Sequence, residues 1–218
     1  MLTGQYVPGL VDDALCNSIK PYVSSTVKVV CHSPPTHVPG FWRGNDWFEY
    51  ETTHNLPSAV AQVERHIEDM IDDGIDSRNI VLVGMSQGGA VALYTALNTY
   101  FKLGGVVGLI TWLPRLPYEG CCHRAPVELP ENKRGYVANA NTPVLHINGL
   151  SDTTIPIEMG YTTRDALSKV MWDYDFRVKR GEHGNCCVAN PIVIREIIKW
   201  LDEKTNVSVR FCWIPFVC

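Results

Sequence analysis

The sequence predicts an α/β protein built on a mainly parallel sheet with helices on both faces. Two observations lead there. Short apolar runs alternate along the chain with segments of helical apolar spacing, and the run Ile80-Val-Leu-Val83 is continuous, as a strand buried on both faces requires. A third limits the domain count: no repeat, low-complexity tract or composition shift divides the 218 residues, so residues 1–204 read as one domain and 205–218 as an apolar tail.

The elements follow in order. Thr26-Val-Lys-Val-Val-Cys31 is β-branched and bounded by Ser and Pro, which predicts a strand. Val60, Val63, Ile67, Met70 and Ile71 recur at helical spacing, with Gly74 at the position of a C-terminal stop. After the strand at 80–83 a helix is expected from Gln87 to about Phe101, then a strand from Gly105 to Trp112. Pro143-Val-Leu-His-Ile147 predicts a fourth strand, 161–171 a helix and 174–179 a fifth strand. The last helix runs over 192–201, with Ile194, Ile197, Ile198 and Leu201 on one face. The stretch 114–142 is rich in Pro, Gly and Asn and reads as a surface excursion.

Composition excludes several classes. With 45% hydrophobic and 19% charged residues the chain is neither disordered nor fibrous. The 19 Lys and Arg against 23 Asp and Glu leave a net charge of −4, without the basic excess of a duplex nucleic-acid binder. Eight cysteines without a C-x-x-C spacing argue against zinc-ribbon and thioredoxin chemistry, and reduced cytoplasmic thiols are the expectation. The first lysine is Lys20, so no charged leader is expected at the start, and no run reaches the roughly 20 apolar residues that span a bilayer. The segment 211–218 is apolar and follows Arg210, which suits a docked terminus or, at most, transient contact with a membrane surface.

Chemistry concentrates at the carboxyl ends of the expected strands, where α/β sheets place their sites. Gly84-Met-Ser86-Gln-Gly88 matches G-x-S-x-G directly between a strand and a helix. An idle serine in a Gly-rich turn would give the same five letters, but the strand-to-helix context is that of a nucleophile elbow, whose tight turn needs small neighbours such as Gly84, Gly88 and Gly89. A serine hydroxyl needs a base, and the imidazole needs an orienting carboxylate. Of seven histidines only His146 and His183 lie far downstream of Ser86; His146 falls inside an expected strand, whereas His183 sits in the Gly-flanked loop Arg180-Gly-Glu-His-Gly184. Asp152, in Asn148-Gly-Leu-Ser-Asp152 just past a strand, is the acid in the right chain order; Asp165, Asp173 and Asp175 fall where a side chain would point away from that edge.

Several segments carry a family resemblance. The run from Ser77 to Leu97 resembles the nucleophile segment of acyl-protein thioesterases, the lysophospholipase-like and carboxylesterase-like branch of the α/β-hydrolases. Thr111-Trp-Leu-Pro114, the acid loop His146-Ile-Asn-Gly-Leu-Ser-Asp-Thr-Thr-Ile-Pro156, and Gly181-Glu-His-Gly-Asn-Cys186 resemble later motifs of that family, in order. Upstream, Cys31-His-Ser-Pro-Pro-Thr36 and Trp47-Phe-Glu49 resemble its Pro-His-Ala-Pro and Trp-Phe-Asp segments, so the match extends to about Lys204. The resemblance implies a cytoplasmic α/β-hydrolase that cleaves fatty acyl thioesters or esters, from S-acylated proteins or lysophospholipids, without metal or organic cofactor and without a nucleic-acid partner. Ser86 would be the nucleophile, His183 the base, Asp152 its orienting acid and the Gln87 backbone N–H one oxyanion donor. Trp47, Trp112 and Leu113 are candidates for contact with the substrate, or else core packing.

Three departures accompany the resemblance. The stretch 114–142 is longer than the family's usual connection, and residues 207–218 have no recognised counterpart. Thr3-Gly4 resemble the end of the family's His-Gly-x-Gly-Asp-Thr-Gly turn, so the chain is expected to lack the first strand and a second oxyanion donor. That expectation keeps open a competing function, a weakly active or non-catalytic α/β-hydrolase-like binding protein. Cys186-Cys187 beside His183 and Cys121-Cys122-His123 match no zinc spacing.

Overall fold

A computed structural model describes residues 14–32, 34, 46–50, 52–114, 137–183 and 190–207. Helix α1 spans Ala14–Ile19 and runs into a 3-10 turn at Lys20–Tyr22; α2 spans Leu56–Asp72, β1 Val81–Met85, α3 Gln87–Asn98 and β2 Gly105–Leu109. Beyond 114 come β3 (Val144–Gly149), α4 (Ile157–Leu167), β4 (Tyr174–Lys179) and α5 (Pro191–Lys204). The four strands form one sheet in the order β1-β2-β3-β4, and all three pairings are parallel. Strand alternation divides the core in two. Leu82, Val106 and Val144 face α2, α3 and α4, whereas Val83, Met85, Val107, Leu109, Leu145 and Ile147 face α5 and residues Ile19 and Val23. Helices therefore cover both faces, as the sequence predicts for central parallel strands.

Local chemistry explains the boundaries. At the end of α2 the Ile75 N–H donates to the Met70 carbonyl and the Gly74 N–H to that of Ile71, the paired bonds of a Schellman stop. Helix α5 opens with the Asn190 carboxamide accepting from the Ile192 N–H, and Pro191 occupies the first turn, where its missing N–H is harmless. Strand β2 ends three residues before Trp112 because Ile110 takes φ 42, which no strand continues. Helix α4 starts at Ile157, four residues ahead of the sequence expectation, directly after Pro156.

The expectation at 26–31 is corrected. No strand forms there. Residues 27–30 and residues 81–83 of β1 line one cavity of about 540 Å³, and residues 26–31 pair with none of β1–β4. β-Branched composition favours extended backbone but does not supply a partner. Cys31 is disulfide-bonded, against the expectation of reduced thiols; low cysteine density and spacing say nothing about which pairs meet in space. Among the described residues no helix is long and apolar enough to cross a membrane. Expectations for Thr3-Gly4, Cys121-Cys122-His123, Cys186-Cys187 and the tail beyond Val207 lie outside the described residues.

Candidate active site

The turn between β1 and α3 puts Ser86 in a conformation that few residues adopt, φ 52 and ψ −124, immediately ahead of the helix. Strain of this kind costs about 1–3 kcal/mol and persists only where the surroundings impose it. Here they do. A Cβ on Gly84 would lie 2.3 Å from the Gly88 carbonyl oxygen, so strand and helix meet at this angle only with glycine in that place. The Ser86 N–H donates to the Leu109 carbonyl at 2.8 Å, fastening the elbow to the end of β2. Gln87 is the first residue of α3, where a backbone N–H has no intrahelical acceptor.

His183 reaches Ser86 from the loop after β4. Its Nε2 lies 3.1 Å from the Ser86 Oγ and its Nδ1 2.8 Å from the Asp152 Oδ2. Asp152 is buried, and its other oxygen, Oδ1, accepts from the N–H groups of Thr154 and Ile155, each at 2.8 Å. The carboxylate is thereby held with one oxygen left for the imidazole. Because an ionised carboxylate only accepts, Nδ1 carries the proton and Nε2 offers a lone pair to the hydroxyl. The β3–β4 register sets this meeting. Gly149 pairs with Lys179, and beyond the strands the Leu150 N–H donates to the Lys179 carbonyl and the Ser151 N–H to that of Gly181. The acid loop and the histidine loop thus leave the sheet side by side.

Comparison with known proteins follows this geometry. The profile of the phospholipase/carboxylesterase family matches residues 19–201. The chain belongs to that family. It is 32% identical over 152 residues to acyl-protein thioesterase 1 of Kluyveromyces lactis, covering 66% of this chain and 60% of the relative. It is 31% identical over 126 residues to acyl-protein thioesterase 1 of Saccharomyces cerevisiae, covering 57% and 50% respectively. The chain therefore spans between half and two thirds of the length of these curated relatives. In fold it is similar to the crystal structure of Arabidopsis thaliana SOBER1, with a TM-score of 0.70 and 22% identity over 93% of this chain and 96% of that one. The architecture is the α/β-hydrolase fold.

Within this phospholipase/carboxylesterase chain the other expected residues sit beneath the elbow. Trp47, Trp112 and Leu113 are at most 1% exposed and belong to the core cluster, with Phe48 and Tyr50 meeting the Trp112 ring edge-on. The Trp112 indole N–H is buried without an acceptor among the described residues. The Gln87 side chain, which carried no weight in the sequence, bridges to this layer: its Oε1 accepts from the Trp47 N–H at 2.8 Å and its Nε2 donates to the Phe48 carbonyl at 2.7 Å. His146 is fully buried, and burial pushes its imidazole down to about 4, so it is neutral in the working range. It bonds to Tyr174 and Thr111 rather than to Ser86. Asn148 and Thr111 complete a buried polar cluster that no spacing in the sequence announced. Among the described residues no three His, Cys, Asp or Glu side chains stand together as metal ligands.

Proposed function

We propose that the protein is a serine hydrolase that cleaves fatty acyl thioesters or esters through an acyl-enzyme on Ser86, with S-acylated proteins or lysophospholipids as substrates. The observation that carries this is the continuous hydrogen-bonded path from the Ser86 Oγ through His183 to a buried, backbone-anchored Asp152. The Ser86 hydroxyl attacks the acyl carbonyl as His183 Nε2 takes its proton, and Asp152 stabilises the imidazolium that forms. The Gln87 N–H, at the positive end of α3, donates to the oxygen that becomes negative in the tetrahedral intermediate. The imidazolium protonates the departing thiolate or alkoxide. Water, deprotonated by the same imidazole, then attacks the acyl-serine and releases the fatty acid. The substrate class is supported by the two acyl-protein thioesterase relatives, whose names state that activity for them.

The test is steady-state hydrolysis of a graded series of acyl thioesters and oxyesters, with Ser86→Ala and His183→Ala in parallel. Medium and long chains should be turned over faster than acetyl. Either substitution alone should lower kcat by about 10³-fold or more, and the double variant should lose little beyond that, because the residues act as a unit. Comparable turnover by Ser86→Ala, or acetyl as the best acyl group, would overturn the proposal.

A further inference from the structure

The peptide unit between Ser86 and Gln87 contributes two groups that point in opposite directions, the Ser86 carbonyl and the Gln87 N–H, because a trans peptide is planar. Whatever fixes the carbonyl therefore aims the N–H. The Ser86 carbonyl accepts two hydrogen bonds. One comes from the Ala90 N–H at 3.1 Å, the ordinary bond of the first helical turn; the other comes from the Thr111 hydroxyl at 2.7 Å. Thr111 is fully buried and packs so closely on α3 that only glycine fits opposite it: a Cβ on Gly89 would meet its Cβ and Oγ1 at 2.8 Å.

Thr111 is itself held on both sides of its backbone. The Asn148 carboxamide spans it, with Oδ1 accepting from the Thr111 N–H at 3.1 Å and Nδ2 donating to the Thr111 carbonyl at 3.0 Å. The same carbonyl lies 3.1 Å from His146 Nε2, and His146 Nδ1 lies 2.6 Å from the Tyr174 hydroxyl. A carbonyl can only accept, so Nε2 carries the hydrogen and Nδ1 accepts from Tyr174. These groups bring Thr111 into place from β3 and β4. The preceding residue, Ile110, pays in strain with its φ of 42, and its N–H is bonded to the Ile147 carbonyl. Several buried polar groups thus converge on one threonine, and its hydroxyl is spent on the nucleophile's peptide.

We propose that Thr111 is a positioning residue: its hydroxyl, braced by Asn148 and His146, locks the Ser86–Gln87 peptide plane so that the Gln87 N–H faces the developing oxyanion. This rests on the assignment of Ser86 as nucleophile. An interaction that matters only once charge develops on the acyl oxygen appears in kcat rather than in KM.

Thr111→Val keeps the shape and removes the hydroxyl, whereas Thr111→Ser keeps the hydroxyl and removes the methyl. Each is compared with the wild type and Ser86→Ala on one long-chain acyl thioester, with thermal unfolding measured alongside. Thr111→Val is expected to lose about tenfold or more in kcat with KM within about twofold, and Thr111→Ser to retain kcat within about threefold. If the valine variant unfolds, Thr111→Ala gives the same comparison without a second methyl against the carbonyl. Unchanged kcat in the variants lacking the hydroxyl, an equal loss in Thr111→Ser, or a loss confined to KM would overturn the proposal while leaving the nucleophile assignment intact. Full activity in Ser86→Ala would instead remove the functional reading and this one with it.

Discussion

Asp152 anchors a loop and, in the proposed mechanism, also serves the chemistry. Its Oδ1 ties the loop after β3 through two backbone N–H groups, and its Oδ2 orients His183. Asp152→Asn can keep an acceptor for the loop but places a neutral carboxamide against Nδ1, which no longer stabilises the imidazolium. Turnover should fall by about 10²–10⁴-fold with the fold retained, read as kcat alongside the circular dichroism spectrum. Asp152→Ala should in addition lower the melting temperature, because the N–H groups of Thr154 and Ile155, the latter buried, lose their acceptor. Equal activity in Asp152→Asn would mean that Asp152 is only a loop anchor. That Ser86, Asp152 and His183 meet in space was legible in the sequence because chain order and position after apolar runs are one-dimensional properties. Thr111 and Asn148 were not: their partners are backbone atoms of distant segments, and such bonds leave no periodicity to read.

At the scale of elements, the site depends on how tightly β1 turns into α3. Gly84→Ala would drive a methyl group into the Gly88 carbonyl, backbone against backbone, with no flexible neighbour to yield. A loss of about 1–3 kcal/mol or more is expected, with displacement of Ser86 and a fall in turnover larger than the stability loss alone would give. Denaturant unfolding and kcat on the same sample check both, and an unperturbed variant would show that the elbow relaxes freely. The strands at 80–83, 105–112 and 143–147 were readable because residues buried on two faces leave continuous apolar runs, whereas β4 at 174–179 is only partly buried and alternates apolar with charged residues. Their ends were less so: Ile110 carries a strand-like side chain in a conformation that ends β2, for reasons located in Asn148 and Thr111. The error at 26–31 has the same origin, since the valines were visible and the absence of a pairing strand was not.

For the whole molecule, buried histidines couple stability to pH. Burial pushes His146 down to about 4; burial and then the neighbouring His66 push His32 to about 4, its ring stacked 3.7 Å from that of His66. Both are neutral in the folded state, whereas an unfolded chain protonates them below about 6.5. Their stabilising contribution is therefore complete above pH 6.5 and is lost as the pH falls toward 4, where the folded form also takes up the protons. For fully buried His146 the loss reaches about 3 kcal/mol at most; half-buried His32 adds to it in the same direction, by less because of solvent screening. Urea unfolding at pH 7.5, 5.5 and 4.5 should show stability falling with pH, and His146→Gln should flatten that slope. A slope unchanged by His146→Gln would place the pH sensitivity elsewhere. The central claim, that this scaffold activates one serine, is tested most directly by treating the protein with a fluorophosphonate and locating the adduct by peptide mass spectrometry. A single phosphonylated serine at position 86, absent in Ser86→Ala and formed at least about a hundredfold more slowly in His183→Ala, is the expected result; no adduct at Ser86, or labelling at an undiminished rate without His183, would contradict it.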